Sequence, residues 1–345
     1  MNKLSLLKLV IILAVFSGSV FAGGGNRVGT AGSTQLLIPV GPRGIAMGYT
    51  TLTDSRGVEA MFWNPANVSI DAGTEVLFSH MSYIADIGVE YGALSVNTGK
   101  LGSIGLSIKS LSIGDIQVTT ADNPDGTGEY FSPQFLTTGL TYSVMLSDRI
   151  AIGITGNLNL ERLALVSKSN VSFNAGISYQ NLGNIDGLVI GIVIKNLGPQ
   201  SSYDGTGLSI SSNDMPGYDR TGNQYYKIQA ASDDLPTTLE LGVGYRYSIN
   251  ESNSLRFNGL FQNSNYYYDE YRVGAEYSYN DMVFLRGGYV FTPEVSDENA
   301  KESTFTAGFG VKLGLSSNFN VNLDYGYQKR ILFNDSHVFG VTFSF

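Results

Sequence analysis

The feature that most limits how this chain can fold is a series of segments in which apolar and polar residues alternate. The last of them, HVFGVTFSF, places phenylalanine and valine between glycine, threonine and serine. Alternation with a period of two is typical of a β-strand with one apolar and one polar face. Each run has about ten residues, the length that a tilted strand needs to cross a bilayer. We identify fourteen such segments, beginning near residues 74, 88, 102, 134, 149, 169, 187, 236, 252, 268, 281, 303, 318 and 336.

The connections between these segments alternate in length. Every second connection is tight: TGKL, SD, LGNID, INE, N and SS. Most of the others are longer, at residues 114–133, 161–168, 198–235 and 292–302. Short turns at one end and long loops at the other are typical of outer-membrane barrels, as is an even number of strands. The first connection, around ADI, breaks this rule and leaves the strand count near residues 74–133 open by one hairpin.

Composition supports a barrel with its apolar face outward. Charged residues make up only 15% of the chain, while glycine (42) and tyrosine (21) are abundant. A soluble propeller would repeat every 40 to 50 residues, and no such repeat is present. A soluble barrel of this size would have to fill a wide interior with apolar side chains. We therefore predict an all-β fold, a transmembrane antiparallel β-barrel of about 14 strands.

Ten charged side chains are predicted to point into this barrel. Basic residues that face lipid at mid-depth cost about 2–4 kcal/mol each, so the polar face of each strand must line the interior. The predicted interior charges are Lys109, Glu161, Lys195, Glu240, Arg246, Arg256, Arg272, Glu276, Lys312 and Asp324.

The residues before the first strand divide into two segments. Residues 1–22 are typical of a signal peptide, with two lysines, the apolar run LVIILAVF and a VFA cleavage site. Residues 23–73 are predicted to form a hatch, or plug, inside the barrel of residues 74–345. In it we expect a short helix, capped by Asp54 or Ser55, that runs to Phe62 and is ended by Pro65. The signal peptide predicts export to the outer membrane of a Gram-negative type of cell.

The sequence offers little for catalysis. It has no cysteine and two histidines, His80 and His337. Asp335, Ser336 and His337 are sequence neighbours, which rarely form a catalytic triad. The loop DNPDGTGE lacks the alternate spacing of a calcium-binding loop. We expect no enzyme, no cofactor and no metal site, and the net charge of −9 argues against nucleic acid as a partner.

Several motifs carry a resemblance to a known family. GTAGSTQLL, AMG, WNPA, VIKNLG, DLPTTLELGVGYRY, LRGGY and TAGFG span most of the chain. Together they resemble the PorV/PorQ family of FadL-like outer-membrane barrels, although Asn67 and Val68 replace the usual continuation of WNPA. The resemblance implies a 14-stranded barrel with an N-terminal hatch. The hatch residues to which it draws attention are Trp63, Asn64, Pro65, Ala66, Arg43, Gly44, Met47 and Gly48.

The resemblance implies two alternative functions. PorV-like relatives act in type IX secretion, where they bind secreted proteins with a C-terminal sorting domain and pass them to other secretion components. FadL-like relatives move hydrophobic molecules such as fatty acids across the membrane. The loop at 198–235 is polar, contains tyrosines and has no long apolar helix, which favours secretion. A structural or adhesive barrel is a third possibility. In each case outer-membrane lipid is expected to surround the barrel.

Overall fold

The computed structural model describes residues 27–70, 73–212, 224–293, 305–316 and 319–345, so the predicted signal peptide lies outside the described residues. Fourteen antiparallel strands form a closed barrel, because each strand pairs with the next and the last pairs with the first. We number them in chain order: β1 Glu75–Ser82, β2 Gly88–Asn97, β3 Ser103–Ser112, β4 Gln134–Met145, β5 Ile150–Leu163, β6 Val166–Tyr179, β7 Leu188–Leu197, β8 Thr238–Asn250, β9 Asn253–Ser264, β10 Glu270–Tyr279, β11 Val283–Phe291, β12 Phe305–Ser316, β13 Phe319–Gln328 and β14 Ser336–Ser344.

The predicted barrel is confirmed, including its strand count. The largest error in a strand start is at β6, predicted near residue 169 and observed at Val166. The ADI segment joins β1 and β2 as a single hairpin. The predicted long loop at 161–168 is wrong, because only Ala164 and Leu165 separate β5 from β6. Outward-facing Arg162 and Ser167 interrupt the apolar pattern there, although the two strands continue to pair.

The outer surface of the barrel is apolar and its interior is polar. Exposed side chains on the outer face include Phe78 of β1, Ile154 of β5, Phe257 of β9, Leu285 of β11 and Phe339 of β14. Their neighbours in sequence are mostly buried, small or polar residues that face inward. This arrangement places apolar side chains against lipid and polar ones in the lumen. In the described part of the chain, no helix has the length and apolar character required to cross a bilayer.

Loops of unequal length define the two ends of the barrel. The long-loop end carries the connections at 83–87, 113–133, 164–165, 198–237, 265–269, 292–304 and 329–335. The short-turn end carries those at 98–102, 146–149, 180–187, 251–252, 280–282 and 317–318. Among the loop residues that the structure describes, there are two small hairpins, a two-residue strand and three 3-10 helices: Ile116–Gln117 with Tyr130–Phe131, Ser209–Ser212 with Gln224–Lys227, Asp204–Gly205 on β6, and Gly99–Leu101, Leu182–Asn184 and Thr206–Leu208.

Residues 27–70, which we call the hatch segment, pack against inward-facing residues of the strands. Their regular elements are the 3-10 helix Thr34–Leu37, α1 Pro42–Ala46, α2 Gly57–Trp63 and the 3-10 helix Pro65–Ser69. The helix predicted before Pro65 is present, but the predicted cap is wrong. Arg56 occupies the N-cap position of α2 without a side-chain cap, and the amide of Val58 donates instead to the Glu75 carboxylate at 2.9 Å. Asp54 is engaged elsewhere, in an ion pair with Arg43.

Glycines on the inner face of the strands allow the hatch backbone to approach closely. A Cβ atom added at Gly288 of β11 would overlap the backbone of Gly48, which itself has a positive φ of 63°. A Cβ added at Gly340 of β14 would lie 2.7 Å from the ring of Pro42. The hatch therefore fits the lumen because these strand positions carry no side chain.

Candidate functional site

A cavity of about 630 Å³ lies between the hatch segment and the strands at the long-loop end. Its lining includes hatch residues 28–39 and the ends of β7 to β10 that are nearest the long loops. Pockets for small molecules have volumes of about 300–1,000 Å³ and are lined mainly by apolar and aromatic side chains. The size and position of the cavity make it the candidate binding site.

Three hatch aromatics line one part of this cavity, and we call Tyr49, Phe62 and Trp63 the aromatic cluster. Trp63 stacks on Tyr49 with 6.2 Å between ring centroids and meets Phe62 edge-on at 5.0 Å. Trp63 is the single tryptophan of the chain and is buried. The cluster gives the cavity a rigid apolar surface that suits the body of a hydrophobic molecule.

A row of polar side chains from β7 to β10 lines another part of the cavity, and we call Lys195, Glu240, Gln262, Glu270 and Arg272 the polar wall. The ammonium of Lys195 lies 3.0 Å from the Glu240 carboxylate. The guanidinium of Arg272 donates to Glu270 at 2.6 Å and to Gln262 at 2.7 Å. The polar wall is therefore a set of paired groups and not a patch of one charge.

Both cations of the polar wall also lie over rings of the aromatic cluster. The Lys195 ammonium is 5.1 Å from the ring centroid of Phe62 and 5.2 Å from that of Trp63. The Arg272 guanidinium is 5.2 Å from the ring of Tyr49. These distances fall within the range of cation–π attraction, so the polar and aromatic surfaces of the cavity meet directly.

The long loop at 198–237 and the start of the hatch segment meet beside the cavity. Arg27 donates to Asp234 at 3.1 Å and to the Tyr266 hydroxyl at 2.9 Å. The backbone amide of Gly32 donates to the carbonyl of Asp234 at 3.0 Å. Hydrogen bonds from Gln200 and Tyr266 and the charge of Arg27 lower the pKa of Asp234, which keeps the carboxylate ionised.

A second junction joins the same segments to the β5–β6 hairpin. The buried Glu161 carboxylate accepts hydrogen bonds from Ser33, from Gln35 at 2.9 Å and from the Tyr203 hydroxyl at 2.5 Å. Lys168, its neighbour across the hairpin, pairs with Asp233 at 3.0 Å. Hatch, long loop and hairpin are thus held together at one polar junction.

The last loop also reaches the cavity, through Arg330. Asp335 accepts the backbone amide of Arg330 at 3.0 Å and the Tyr327 hydroxyl at 2.6 Å. These hydrogen bonds, with the charge of Lys329, lower the pKa of Asp335 to about 2. Arg330 itself donates to Gln328 at 3.0 Å and lies over the ring of Tyr83.

Below the cavity, Arg43 joins the hatch to the barrel through three carboxylates. It donates to Asp54 at 2.5 Å and to Glu59 at 3.0 Å, both in the hatch segment. Its third hydrogen bond, also 3.0 Å, reaches Glu276 on β10. The Arg43 side chain is only 13% exposed, so these contacts form away from bulk water.

Glu276 continues this network within the strands. It accepts hydrogen bonds from Arg256 at 2.5 Å and from Arg286 at 2.7 Å, and Arg286 also pairs with Asp324 at 2.5 Å. With Asp54 and Glu59, the three arginines face four carboxylates, so each buried charge has an opposite partner, which is the condition for burying such groups. We name these arginines and carboxylates the arginine network.

The structure places the predicted interior charges in distinct groups, all on inward-facing positions of their strands. Lys195, Glu240 and Arg272 line the cavity, whereas Arg256, Glu276 and Asp324 belong to the arginine network. The Lys109 ammonium donates to the carbonyls of Gln35 at 2.9 Å and Ile38 at 3.1 Å in the hatch. Glu161 forms the polar junction. Arg246 lies exposed at the short-turn end, 3.4 Å from Asp281, and Lys312 lies opposite Asn322.

The predicted hatch residues lie together against the barrel wall. The Trp63 ring fills the space that a side chain at Gly44 would need, and Met47 and Gly48 follow on the same turn. Asn64 is fully buried, donates to the Leu52 carbonyl at 3.1 Å and accepts the Ala66 amide at 3.1 Å. Pro65 begins the 3-10 helix that follows.

These contacts lead to a prediction for Asn64→Leu. Leucine would leave the Ala66 amide without a partner inside the protein, at a cost of about 1–3 kcal/mol. The Leu52 carbonyl would keep its hydrogen bond from Asn67 and lose the one from Asn64. We expect the yield of folded barrel to fall, measured by heat-modifiable migration on gels. A normal yield with impaired transport would contradict this and assign Asn64 a functional role.

Several residues of the site were missed by sequence reasoning. Asp54 and Glu59 in the hatch, Arg286 on β11, and Gln262 and Glu270 on the polar wall were not among the predicted site residues. Arg286 lies within the LRGGY motif at an inward position, so strand alternation is a signal that identifies it as an interior charge. The hatch acids have no comparable signal, because their partner Arg43 is 11 and 16 residues away, which matches neither helix nor strand spacing.

Comparison with known proteins supports the fold. No family model and no curated protein matches the chain. Solved structures match over most of its length: the CymD monoaromatic hydrocarbon channel shares 14% identity, covering 90% of this chain and 98% of CymD with a TM-score of 0.54. The Pseudomonas putida toluene transporter TodX shares 12% identity over 88% and 98% of the two chains, with a TM-score of 0.55. A Pseudomonas aeruginosa FadL homologue shares 12% over 89% and 98%, with a TM-score of 0.50.

The fold is FadL-like. One of these three neighbours is described as a FadL homologue, and the other two as a channel or transporter of hydrocarbons. None of the three is described as a secretion protein. The FadL-like part of the predicted resemblance is therefore confirmed at the level of fold, while the PorV/PorQ assignment stays a prediction.

Proposed function

We propose that this FadL-like barrel lies in the outer membrane and is a non-enzymatic channel for hydrophobic small molecules. The observation that carries the proposal is the cavity of about 630 Å³ at the long-loop end, which is lined by the aromatic cluster. The long loops of outer-membrane barrels face outward, so the cavity would receive molecules from outside the cell. Toluene and monoaromatic hydrocarbons, which the structural neighbours are named for, are compact enough for this volume.

The same geometry gives less support to protein export. The polar loop at 198–235 favours a protein-contact surface in sequence, yet its residues Tyr203, Asp233 and Asp234 make hydrogen bonds with the hatch or the β5–β6 hairpin. These groups are engaged within the barrel mouth. We therefore rank a hydrophobic-molecule channel above a type IX secretion component or an adhesive barrel.

The absence of cysteine from the chain allows a direct test. Thr292 lines the cavity at the long-loop end, and Thr292→Cys is a small change. We expect cells that express this variant to take up radiolabelled toluene. Labelling the introduced cysteine with a bulky thiol reagent should then stop uptake. The reagent blocks the cavity without altering the rest of the barrel.

Thr119→Cys is the matched control, because Thr119 is exposed in the loop at 113–133 and does not line the cavity. Labelling there should leave toluene uptake unchanged. If neither variant supports uptake above that of cells without the barrel, and detergent extracts contain secreted proteins that share one C-terminal domain, export replaces the channel as the function.

A further inference from the structure

The pairing of charges inside the cavity narrows the class of ligand. Resting on the proposed channel function, we propose that the cavity selects neutral molecules that combine a compact apolar body with a hydroxyl group. These ligands differ both from plain hydrocarbons and from carboxylic acids. The polar wall, the aromatic cluster and their direct contact carry this inference.

The first step is the charge balance of the polar wall. Lys195 and Glu240 form one pair at 3.0 Å, and Arg272 and Glu270 form another at 2.6 Å. All four side chains are largely buried, with exposed fractions of 16% or less. The cavity thus offers donors and acceptors side by side, with each charge of the wall next to an opposite one.

This balance disfavours a ligand with its own charge. A carboxylate against the wall would approach Glu240 and Glu270 as closely as their cationic partners, so repulsion offsets attraction. It would also lose its hydration, which is the larger cost for an ion that enters a buried site. Arg330, the third cation that lines the cavity, directs hydrogen bonds to Gln328 and Ser336.

The same wall favours a molecule with a hydroxyl group over a plain hydrocarbon of equal size, although the cavity admits both. A molecule without polar atoms would displace water from the Lys195, Gln262 and Glu270 side chains and supply no hydrogen bond in return. A hydroxyl group has one donor and two acceptor lone pairs, so it can donate to a carboxylate while it accepts from an ammonium or an amide. A single neutral hydroxyl therefore satisfies both kinds of group on the wall.

The position of the aromatic cluster accounts for the apolar body. Lys195 lies over the rings of Phe62 and Trp63, so the polar and apolar surfaces are contiguous at that point. A ring or short alkyl body on Trp63 places its hydroxyl beside the Lys195–Glu240 pair. Cyclic alcohols and phenols have this shape.

The single tryptophan provides the measurement. Trp63 lines the cavity, so its fluorescence reports on ligands there without interference from any other indole. We would titrate the barrel in lipid nanodiscs at neutral pH with cyclohexane, cyclohexanol and cyclohexanecarboxylate, three probes with one body and different polar groups. We expect cyclohexanol to bind about tenfold more tightly than cyclohexanecarboxylate, because the carboxylate loses its hydration and is repelled by Glu240 and Glu270.

A variant separates hydrogen bonding from simple partitioning into an apolar space. The double variant Lys195→Met, Glu240→Gln removes both charges together and leaves neither unpaired. The ratio of the cyclohexanol Kd to the cyclohexane Kd should rise about tenfold in this variant, as expected for a lost hydrogen bond to charged groups. The control Lys227→Met, Asp204→Asn removes an exposed ion pair of the long loop and should leave the ratio unchanged.

The outcomes distinguish this inference from the function on which it rests. Tightest binding by cyclohexanecarboxylate, or a ratio that is equal in wild type and double variant, overturns the inference but retains a hydrophobic-molecule channel. If the double variant does not fold, the Kd values of cyclohexanol and cyclohexanecarboxylate for the wild-type barrel alone decide whether the inference holds. If none of the three probes changes Trp63 fluorescence, the proposed function itself fails.

Discussion

Replacing Arg43 with methionine is expected to lower the free energy of unfolding by about 3–5 kcal/mol, the usual cost of breaking a buried ion pair by removal of one partner. Arg43 is the hatch residue that holds Asp54, Glu59 and Glu276 at 2.5 to 3.0 Å. Without its guanidinium, Glu59 loses its ion-pair partner while the surrounding protein still excludes water. Urea unfolding of the purified barrel in detergent micelles measures the change.

Arg246→Met is the matched control for this experiment. Arg246 is 43% exposed at the short-turn end, and its nearest carboxylate oxygen, on Asp281, is 3.4 Å away. Exposed pairs of this kind contribute about 0–1 kcal/mol. Equal losses in the two variants would show that the arginine network is no more important than a surface contact.

Adding one methyl group at Gly153 is expected to destabilise the barrel by about 1–3 kcal/mol, the range for overpacking a filled core. Gly153 lies on the inner face of β5, where a Cβ atom would overlap the carbonyl group of Pro65. Backbone cannot rotate away as a flexible side chain can, so the 3-10 helix that begins at Pro65 must move. Thermal unfolding followed by circular dichroism measures the effect of Gly153→Ala.

The same strand supplies the control. Gly156 faces outward on β5, and a Cβ there would lie 3.6 Å from the ring of Phe173, an ordinary van der Waals distance. Gly156→Ala should change the free energy of unfolding by less than about 0.5 kcal/mol. If Gly156→Ala destabilised the barrel as much as Gly153→Ala, contact with the hatch would not explain the loss of stability at Gly153.

The strands were predictable because lipid and lumen impose opposite demands on neighbouring residues. Phe339 and Val341 face lipid on β14, and Gly340 between them faces the hatch. Strand alternation failed as a predictor where lipid no longer requires apolar residues on the outer face. The β5–β6 hairpin continues through outward-facing Arg162 and Ser167, and polar residues on both faces there resemble a loop in sequence.

The site was only partly predictable, for a different physical reason. Alternation identifies Lys195 and Glu240 as inward-facing, but their pairing depends on the register between β7 and β8. Arg43 and its partner Glu276 are 233 residues apart, and no local pattern encodes such a contact. The cap of α2 comes from Glu75, beyond the helix and its flanks, so local capping rules selected Asp54 or Ser55 instead.

The contact between Pro42 and Gly340 has a consequence for how the barrel is assembled. Gly340 belongs to β14, the last strand to be synthesised, and β14 pairs with β1 to close the ring. The hatch therefore packs directly against the strand pair at which the ring closes. A substitution at Pro42 or Gly340 would disturb hatch packing and barrel closure at the same place.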